Sequence, residues 1–430
     1  MSTRRWLMAL AMLSMLSAIS VTLAQQMVPD SPLRIGEDQK VAERINEAIL
    51  VAYGFGNTFM VTTRDGNVII DTSSMLRAPK AKELLQRENS GPITHIILTH
   101  AHGDHSGGVK LWKGPQTQVL AQKEHYEFMN YQARLAGFFG ERNTAQFGYP
   151  LPAPSTWAGN YGATVLATVM FDDKYEFTSG GVKFELLSTP GETPDHLTVW
   201  IPQYRAAFIG DNYYESFPNL YTLRGTKPRW ALDYINSIDK VLALKPEILL
   251  PSHGQPVRGN AEITRLLTRY RDAISYVHDA VVKGMNQGKD VFTLMREIKL
   301  PKGLDVGESY GNLIWSIRGI YEGYAGWFDM KPATMYDVPF AAVLPDITRL
   351  AGGPDSVARL AADKVAAGQY VEALHLTEIA LTANSAHRPS LEVRLEALEK
   401  LYARSINSNE RGWLSYSIRA VKQALGTGDR

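Results

Sequence analysis

The 430-residue chain contains no cysteine. That absence removes disulfide staples, thiolate metal ligands and cysteine nucleophiles together, so any metal held here must be held by histidine and carboxylate. An excess of either charge is missing too. Lys and Arg number 45 against 44 for Asp and Glu, a net charge of +1. No global basic field exists to hold nucleic acid or an anionic membrane, and an anionic ligand has to be recognised at a local site. With 45% hydrophobic and 21% charged residues, the composition excludes a disordered chain, a collagen and a coiled coil. At about 150 residues per domain, the length predicts two or three domains with sizeable cores.

An uncharged run from Trp6 to Ala24 follows Arg4 and Arg5 and ends in Thr22-Leu23-Ala24. This is the pattern of a signal peptide with a small-x-small cleavage site, and it places the mature protein in the periplasm or outside the cell. The other reading is a retained anchor, since the run approaches the roughly 20 residues that span a bilayer. The arginine pair also leaves twin-arginine export of a folded protein open. Beyond the leader, two regimes follow. From Ile49 to about Gly259, short β-rich runs alternate with turn signals: Asn57 to Thr63, the Asp65-Gly66 turn, Val68 to Asp71, Ile93 to Leu98, Thr117 to Leu120, Val182 to Leu187, Leu197 to Ile201, Arg205 to Ile209 and Glu247 to Leu250. A helix is expected at Ala78 to Arg87. From Ala261 the apolar spacing turns helical, as in Ile263, Leu266, Leu267, Tyr270, Ile274 and Val277. Four further helices are expected over Asp355–Ala367, Tyr370–Thr382, Ser390–Ser405 and Glu410–Leu425.

The chemistry is concentrated in Thr99-His100-Ala101-His102-Gly103-Asp104-His105, directly after an apolar strand. At a strand end the i, i+2 spacing turns His100 and His102 to one side, while Asp104 and His105 lie on the turn beyond; one loop can thus serve two adjacent metals. Packing four such groups together without a cation would leave buried polar atoms unpaired, at several kcal/mol. His95, His125, His278 and His375 carry no such pattern and read as surface or packed histidines.

These residues resemble the metallo-β-lactamase superfamily, whose HxHxDH loop follows a core strand. Ile69-Ile70-Asp71 matches its upstream strand, and Thr189-Pro190-Gly191-Glu192-Thr193-Pro194-Asp195-His196 its downstream ligand segment. Glu192 stands where most of the superfamily has histidine, and His196 either faces the site or covers a strand start. Glu192, the acid in Ile209-Gly210-Asp211-Asn212, and the segment Asn219-Leu220-Tyr221-Thr222-Leu223-Arg224-Gly225 are similar to the alkylsulfatase branch, with Asp211 where that branch usually has Glu. His253 in Pro251-Ser252-His253-Gly254 matches its last ligand.

The resemblance implies an α/β fold, the metallo-β-lactamase αββα sandwich, followed by an all-α helical dimerisation domain. The expected order is a signal peptide at 1–24, a catalytic domain at 25–265, a helical connector at 266–289 and a dimerisation domain at 290–425. Gly326-Trp327-Phe328-Asp329, Ala351-Gly352-Gly353 and Gly412-Trp413 carry the last part. It implies two zinc ions per chain: one on His100, His102 and Glu192, one on Asp104, His105 and His253, with Asp211 between them. Asp104 and Asp211 are then catalytic carboxylates as well as ligands. A hydroxide bridging two zinc ions is available near neutral pH, and Arg224 with Asn219 would bind the fixed anionic head of a sulfate ester. The implied partners are a small anionic ester with an apolar part and a second copy in a homodimer, with no nucleic acid. No residues after Arg430 remain for the sterol-carrier-like third domain of long family members, which counts against a long alkyl tail. The aromatic stretch from Tyr126 to Tyr161, including Phe128, Tyr131, Phe138, Phe139, Phe147, Tyr149 and Trp157, suits a lid over an apolar tail or core packing equally. The runner-up activity is another hydrolysis on the same scaffold: lactamase, lactonase, thioesterase or phosphodiesterase. A metal-held, noncatalytic assembly surface is the third reading.

Overall fold

The computed structural model describes residues 34–147 and 167–427. The expected leader at 1–24 lies outside them, as do Tyr149, Trp157 and Tyr161 of the aromatic stretch. Among the described residues no helix is long and apolar enough to cross a membrane.

Among the described residues thirteen strands form two sheets. The first contains β1 (Glu43–Arg44), β2 (Ile49–Ala52), β3 (Thr58–Thr63), β4 (Gly66–Ile70), β5 (Ile93–Ile97), β6 (Gln118–Gln122) and β7 (Val169–Phe171), in that spatial order. Strands β1 to β4 pair antiparallel and β4 to β7 parallel. The second contains β8 (Lys174–Ser179), β9 (Val182–Ser188), β10 (Leu197–Ile201), β11 (Ala206–Gly210), β12 (Ile248–Pro251) and β13 (Val257–Arg258), in the order β13-β12-β11-β10-β9-β8. Its β11–β12 pair is parallel and its other pairs are antiparallel.

Period-2 alternation sends opposite residues of each strand to opposite faces. Ile49, Val51, Phe59, Val61, Val68 and Ile70 meet Phe184, Leu186, Leu197, Val199, Phe208 and Leu250 in one core between the sheets. The alternate residues Leu50, Met60 and Ile69 point outward to α1 (Ala78–Glu88), which supplies Ala81, Leu84 and Leu85 at helical spacing. Both faces of the first sheet are therefore buried, which is why its strands read as apolar runs rather than strict alternation. On the far side lie α6 (Ala231–Ala243) and α7 (Asn260–Asn286), packed on each other. The buried row Ile263, Leu267, Tyr270, Ile274, Val277 and Val281 of α7 steps by four and three residues, the signature of one continuous buried stripe. The layers are α, β, β and α, as the resemblance implies. Between α1 and α6 come α2 (Gly103–Ser106), α3 (Val109–Trp112), α4 (His125–Arg134) and α5 (Ala136–Phe147).

Contacts divide the described residues into two compact units. One runs to Ile320 without the end of α5; the other is Tyr321 onward together with α5 from Asn143. The boundary expected at 265/266 falls inside α7, whose stripe does not break there. Composition turns helical at Ala261, but packing changes only near 320, so the expected connector 266–289 belongs to the first unit. So do α8 (Val291–Glu297) and the start of α9 (Leu313–Ala325).

The second unit holds α10 (Leu344–Leu350), α11 (Pro354–Ala366), α12 (Tyr370–Ala383), α13 (Arg388–Arg404) and α14 (Ser408–Leu425). The last four match the expected helices to within a few residues. Successive helices pack on one another, around Val365, Tyr370, Ala373 and Ala397 and around Leu391, Leu398 and Val421. Asn407 caps α14 by accepting from Glu410 N–H at 3.0 Å. Before α10, residues 324–343 are exposed throughout. Their apolar side chains include Trp327 at 77%, Met330 at 86% and Phe340 at 75% exposure.

Candidate metal centre

Strands β4 and β5 run parallel, as do β11 and β12, so loops leaving their carboxyl ends converge, the usual place for a site in such sheets. The segment after β5 carries His100 and His102 in its loop and Asp104 and His105 in α2; the loop after β11 carries Asp211; the loop after β12 carries His253; the β9–β10 connection carries Glu192.

Two sets of potential ligand atoms result, each lying within 4.8 Å of one another: His100, His102 and Asp211, and Asp104, His105 and His253. Asp211 stands between the sets. Its Oδ2 is 3.8 Å from His100 Nε2, 3.4 Å from His105 Nε2 and 3.0 Å from His253 Nε2. Glu192 approaches the first set, with Oε1 3.7 Å from His102 Nδ1. Both His105 Nε2 and Asp211 Oδ1 are buried without a hydrogen-bond partner, a cost that a bound cation removes. The donor set is nitrogen and carboxylate oxygen only, which suits zinc or a similar divalent ion.

Asp71 orients this cluster from behind. Its φ is +56°, and one carboxylate collects Thr99 N–H and Oγ1–H at 2.8 Å each, Ser252 Oγ–H at 2.9 Å and His105 Nδ1–H at 2.9 Å. Holding the Nδ1 proton of His105 leaves Nε2 facing inward. His196 does the same for Asp211. Its Nε2 accepts the Asp211 N–H at 3.1 Å and its Nδ1 pairs with Thr189 Oγ1 at 3.2 Å. With both nitrogens engaged it is a positioning residue, and burial pushes its pKa down to about 4. Gly210, at φ +58°, leaves no room for a Cβ, which would lie 2.2 Å from His196 Nε2.

Glu192 is fixed by two groups that sequence reasoning missed. Arg229 donates to its Oε2 through Nη1, and the Tyr234 hydroxyl donates to the same oxygen at 2.7 Å. Arg229 also donates to Asn219 O at 2.9 Å. Oε1 is thereby left toward His102. Arg229 lies five residues past Arg224 on the same loop, and Tyr234 is in the first turn of α6, so neither carries a local motif.

Burial alone would raise both carboxylates, but His105 and His253 hold Asp211 well below its ordinary range. Glu192 is raised, chiefly by burial, with Arg229 opposing. Burial would lower His105 and His253 as well; Asp211 and Asp104 instead raise both. His100 and His102 are pushed well below the usual range by burial. Asp211 held in its charged form beside His100 and His102 held neutral presents lone pairs of the kind a cation takes.

Arg224 reaches the cluster, with Nη2 3.3 Å from His102 Nε2. Burial lowers its pKa, and Arg229 adds to that. Asn219 is buried, its N–H donating to the Tyr214 hydroxyl at 2.6 Å and its Oδ1 lacking a hydrogen-bond partner. Tyr310 was also missed. Burial and the charge of Glu192 push its hydroxyl well up, and Arg224, Asp104 and Asp211 are close enough to act on it. Among the remaining histidines, His125 is packed, with Nδ1 2.8 Å from Asp195 Oδ2. In the aromatic stretch Phe128 and Phe139 are buried, Phe128 edge-on to His102 at 5.6 Å between centroids, while Tyr126 and Phe138 are exposed.

Residues 52–253 match the metallo-beta-lactamase superfamily and residues 293–423 the family described as alkyl sulfatase dimerisation. A linear primary-alkylsulfatase from a Pseudomonas species is 30% identical over 390 residues, covering 85% of this chain and 74% of that protein. An alkyl/aryl-sulfatase from Saccharomyces cerevisiae is 27% identical over 405 residues, 86% of this chain and 62% of that protein. The chain thus spans less than two thirds of some of the curated relatives it matches. The solved structure of a stereoselective inverting sec-alkylsulfatase from Pseudomonas superposes with a TM-score of 0.81 at 23% identity, covering 90% of this chain and 66% of the other. That likeness concerns the fold.

Proposed function

The chain belongs to the metallo-beta-lactamase superfamily and, within it, to the alkylsulfatase family, and on that premise we propose that it hydrolyses alkyl sulfate esters at a centre of two zinc ions. The observation that carries the reading is the pair of ligand sets with Asp211 between them and a half-buried guanidinium beside them. His100, His102 and Glu192 would hold one ion, Asp104, His105 and His253 the other, and Asp211 would bridge. What two such ions supply is water activated near neutral pH, its pKa lowered from 15.7 to about 7.

The chain's own residues do the rest. Asp71 and His196 fix the ligands, so the geometry exists before substrate arrives. Arg224 offers a planar, two-pronged donor to the sulfate oxygens, and Asn219 would contribute through its amide N–H groups. Tyr310 keeps its proton at neutral pH, so its hydroxyl can donate. Phe128 walls the centre with an apolar ring.

Metal analysis of the purified mature protein, with turnover assays on medium-chain alkyl sulfates, lactones, a β-lactam and a phosphodiester, tests the proposal. Two ions per chain and sulfate-ester turnover abolished by chelator are expected; no turnover of any sulfate ester would reject it.

Two further parts of the reading concern assembly and place. The alkyl sulfatase dimerisation match and the exposed apolar residues at 324–343 support a homodimer, since contiguous exposed apolar surface needs a partner. The leader at 1–24 supports export to the periplasm or beyond, which fractionation of the producing cell would test.

A further inference from the structure

We propose that Arg142 is a positioning residue that sets the sulfate clamp, an inference that rests on the sulfatase reading above. The loop presenting Arg224 has no regular secondary structure to hold it. Besides the turn bond from Gly225 N–H to Thr222 O, one guanidinium on α5 grips it: Arg142 Nε donates to Arg224 O at 2.7 Å and Nη2 donates to Leu223 O at 2.6 Å. Two consecutive carbonyls held by one rigid fork fix the peptide plane between them, and with it the direction in which the Arg224 side chain leaves the backbone.

One contact fixes the fork itself, and a close approach seats the loop on the same helix. The Arg142 guanidinium lies over the Phe138 ring, 5.0 Å from its centroid, and Phe138 is one helical turn earlier on α5. On the other side, Gly225 has φ +96°, and a Cβ there would stand 3.3 Å from Phe138 and 3.7 Å from Phe139. The loop is therefore laid directly on α5, in a backbone conformation that favours glycine. Arg142 itself touches none of the candidate metal ligands in these bonds. These bonds act on an anion through the placement of Arg224.

The test uses the full-length mature chain loaded with zinc and four variants: Arg142→Met, Arg142→Lys, Arg224→Ala and the double Arg142→Met/Arg224→Ala. Methionine keeps an unbranched stem against Phe138, and lysine keeps the charge without the fork. The readouts are binding of inorganic sulfate, KM and kcat on a medium-chain alkyl sulfate, zinc content and melting temperature. Arg142→Met is expected to weaken sulfate binding and raise KM about tenfold, with kcat changed less than about threefold and zinc content unchanged. Arg142→Lys should recover part of the loss. In the Arg224→Ala background, Arg142→Met should add nothing, because the group it positions is gone.

Additive effects in the double variant, or loss of zinc along with sulfate binding, would overturn the inference in favour of a general packing role. So would unchanged sulfate binding in both Arg142 variants while Arg224→Ala weakens it. Should Arg142→Met fail to fold, the lysine variant decides by the same comparison. Arg224→Ala without effect on sulfate binding would remove the clamp and the role of Arg142 with it, whereas absence of sulfate-ester turnover by the unaltered chain would mark failure of the sulfatase reading itself.

Discussion

Replacing Arg229 by methionine separates a buried charge from its partner at the edge of the metal centre. Arg229 and Glu192 have side chains only 2% and 7% exposed, and Arg229 is the largest counterweight to the burial that raises the Glu192 pKa. Breaking a buried pair by removing one member costs about 3–5 kcal/mol, since the remaining charge stays desolvated. Tyr234 keeps one hydrogen bond on the same oxygen, which limits the loss toward the lower figure. Glu192 then meets the cost by holding its proton to higher pH.

The sign follows from linkage. A carboxyl whose folded pKa lies above its unfolded value makes the native state bind more protons than the unfolded one, so stability falls as pH rises through that window. Removing Arg229 widens the window upward. Metal retention moves the same way, because only ionised Glu192 is a ligand. Zinc content measured after dialysis over a pH series should fall off at a midpoint at least about one unit higher in Arg229→Met, equivalent to 1.36 kcal/mol. The first ion should be lost before the second. An unchanged midpoint, or loss of both ions together, would refute the assignment of Arg229 as the group that keeps Glu192 ready to bind.

Asp211→Ala is expected to empty both positions, since its carboxylate lies between the two sets, whereas His196→Ala should retain two ions at lower affinity; elemental analysis after gel filtration distinguishes the two. Arg224→Ala should cost about ten- to hundredfold in kcat/KM on a sulfate ester, from one charge-assisted hydrogen bond of about 1.5–3 kcal/mol, with neutral esters hardly affected. Trp327→Asp combined with Phe340→Asp should convert the proposed dimer to monomer in light scattering at micromolar concentration, with zinc content unchanged.

Much of the cluster was legible because its residues lie in or next to short motifs. His100, His102, Asp104 and His105 lie within six residues, and Asp211 and His253 each follow an apolar strand that announces where the chain turns. Arg229 and Tyr234 could not be read that way. They lie 37 and 42 residues from the carboxylate they hold, and their role depends on how α6 packs. His196 was visible as a histidine beside the site but not as the acceptor of the Asp211 N–H, which is a matter of a single backbone angle at Gly210. The helices at the end of the chain were legible to within a few residues, since amphipathic spacing sets them locally. The division near 320 was not, because it falls inside α9, where the apolar spacing is unbroken, rather than at the change of composition at Ala261.

The ligands of the centre leave from both sheets, so an ion held between His105 and His253 ties together positions separated by roughly 150 residues of chain. In the entropic picture, cross-linking a loop of that length restricts the unfolded chain by on the order of 5 kcal/mol, as much as a long-range disulfide. A chain with no cysteine can thus have its principal cross-link in its catalytic centre. Its reversal by a chelator, rather than by a thiol reductant, is then the condition under which such a protein becomes open to proteolysis. Loss of activity and loss of protease resistance should follow the same chelator concentration.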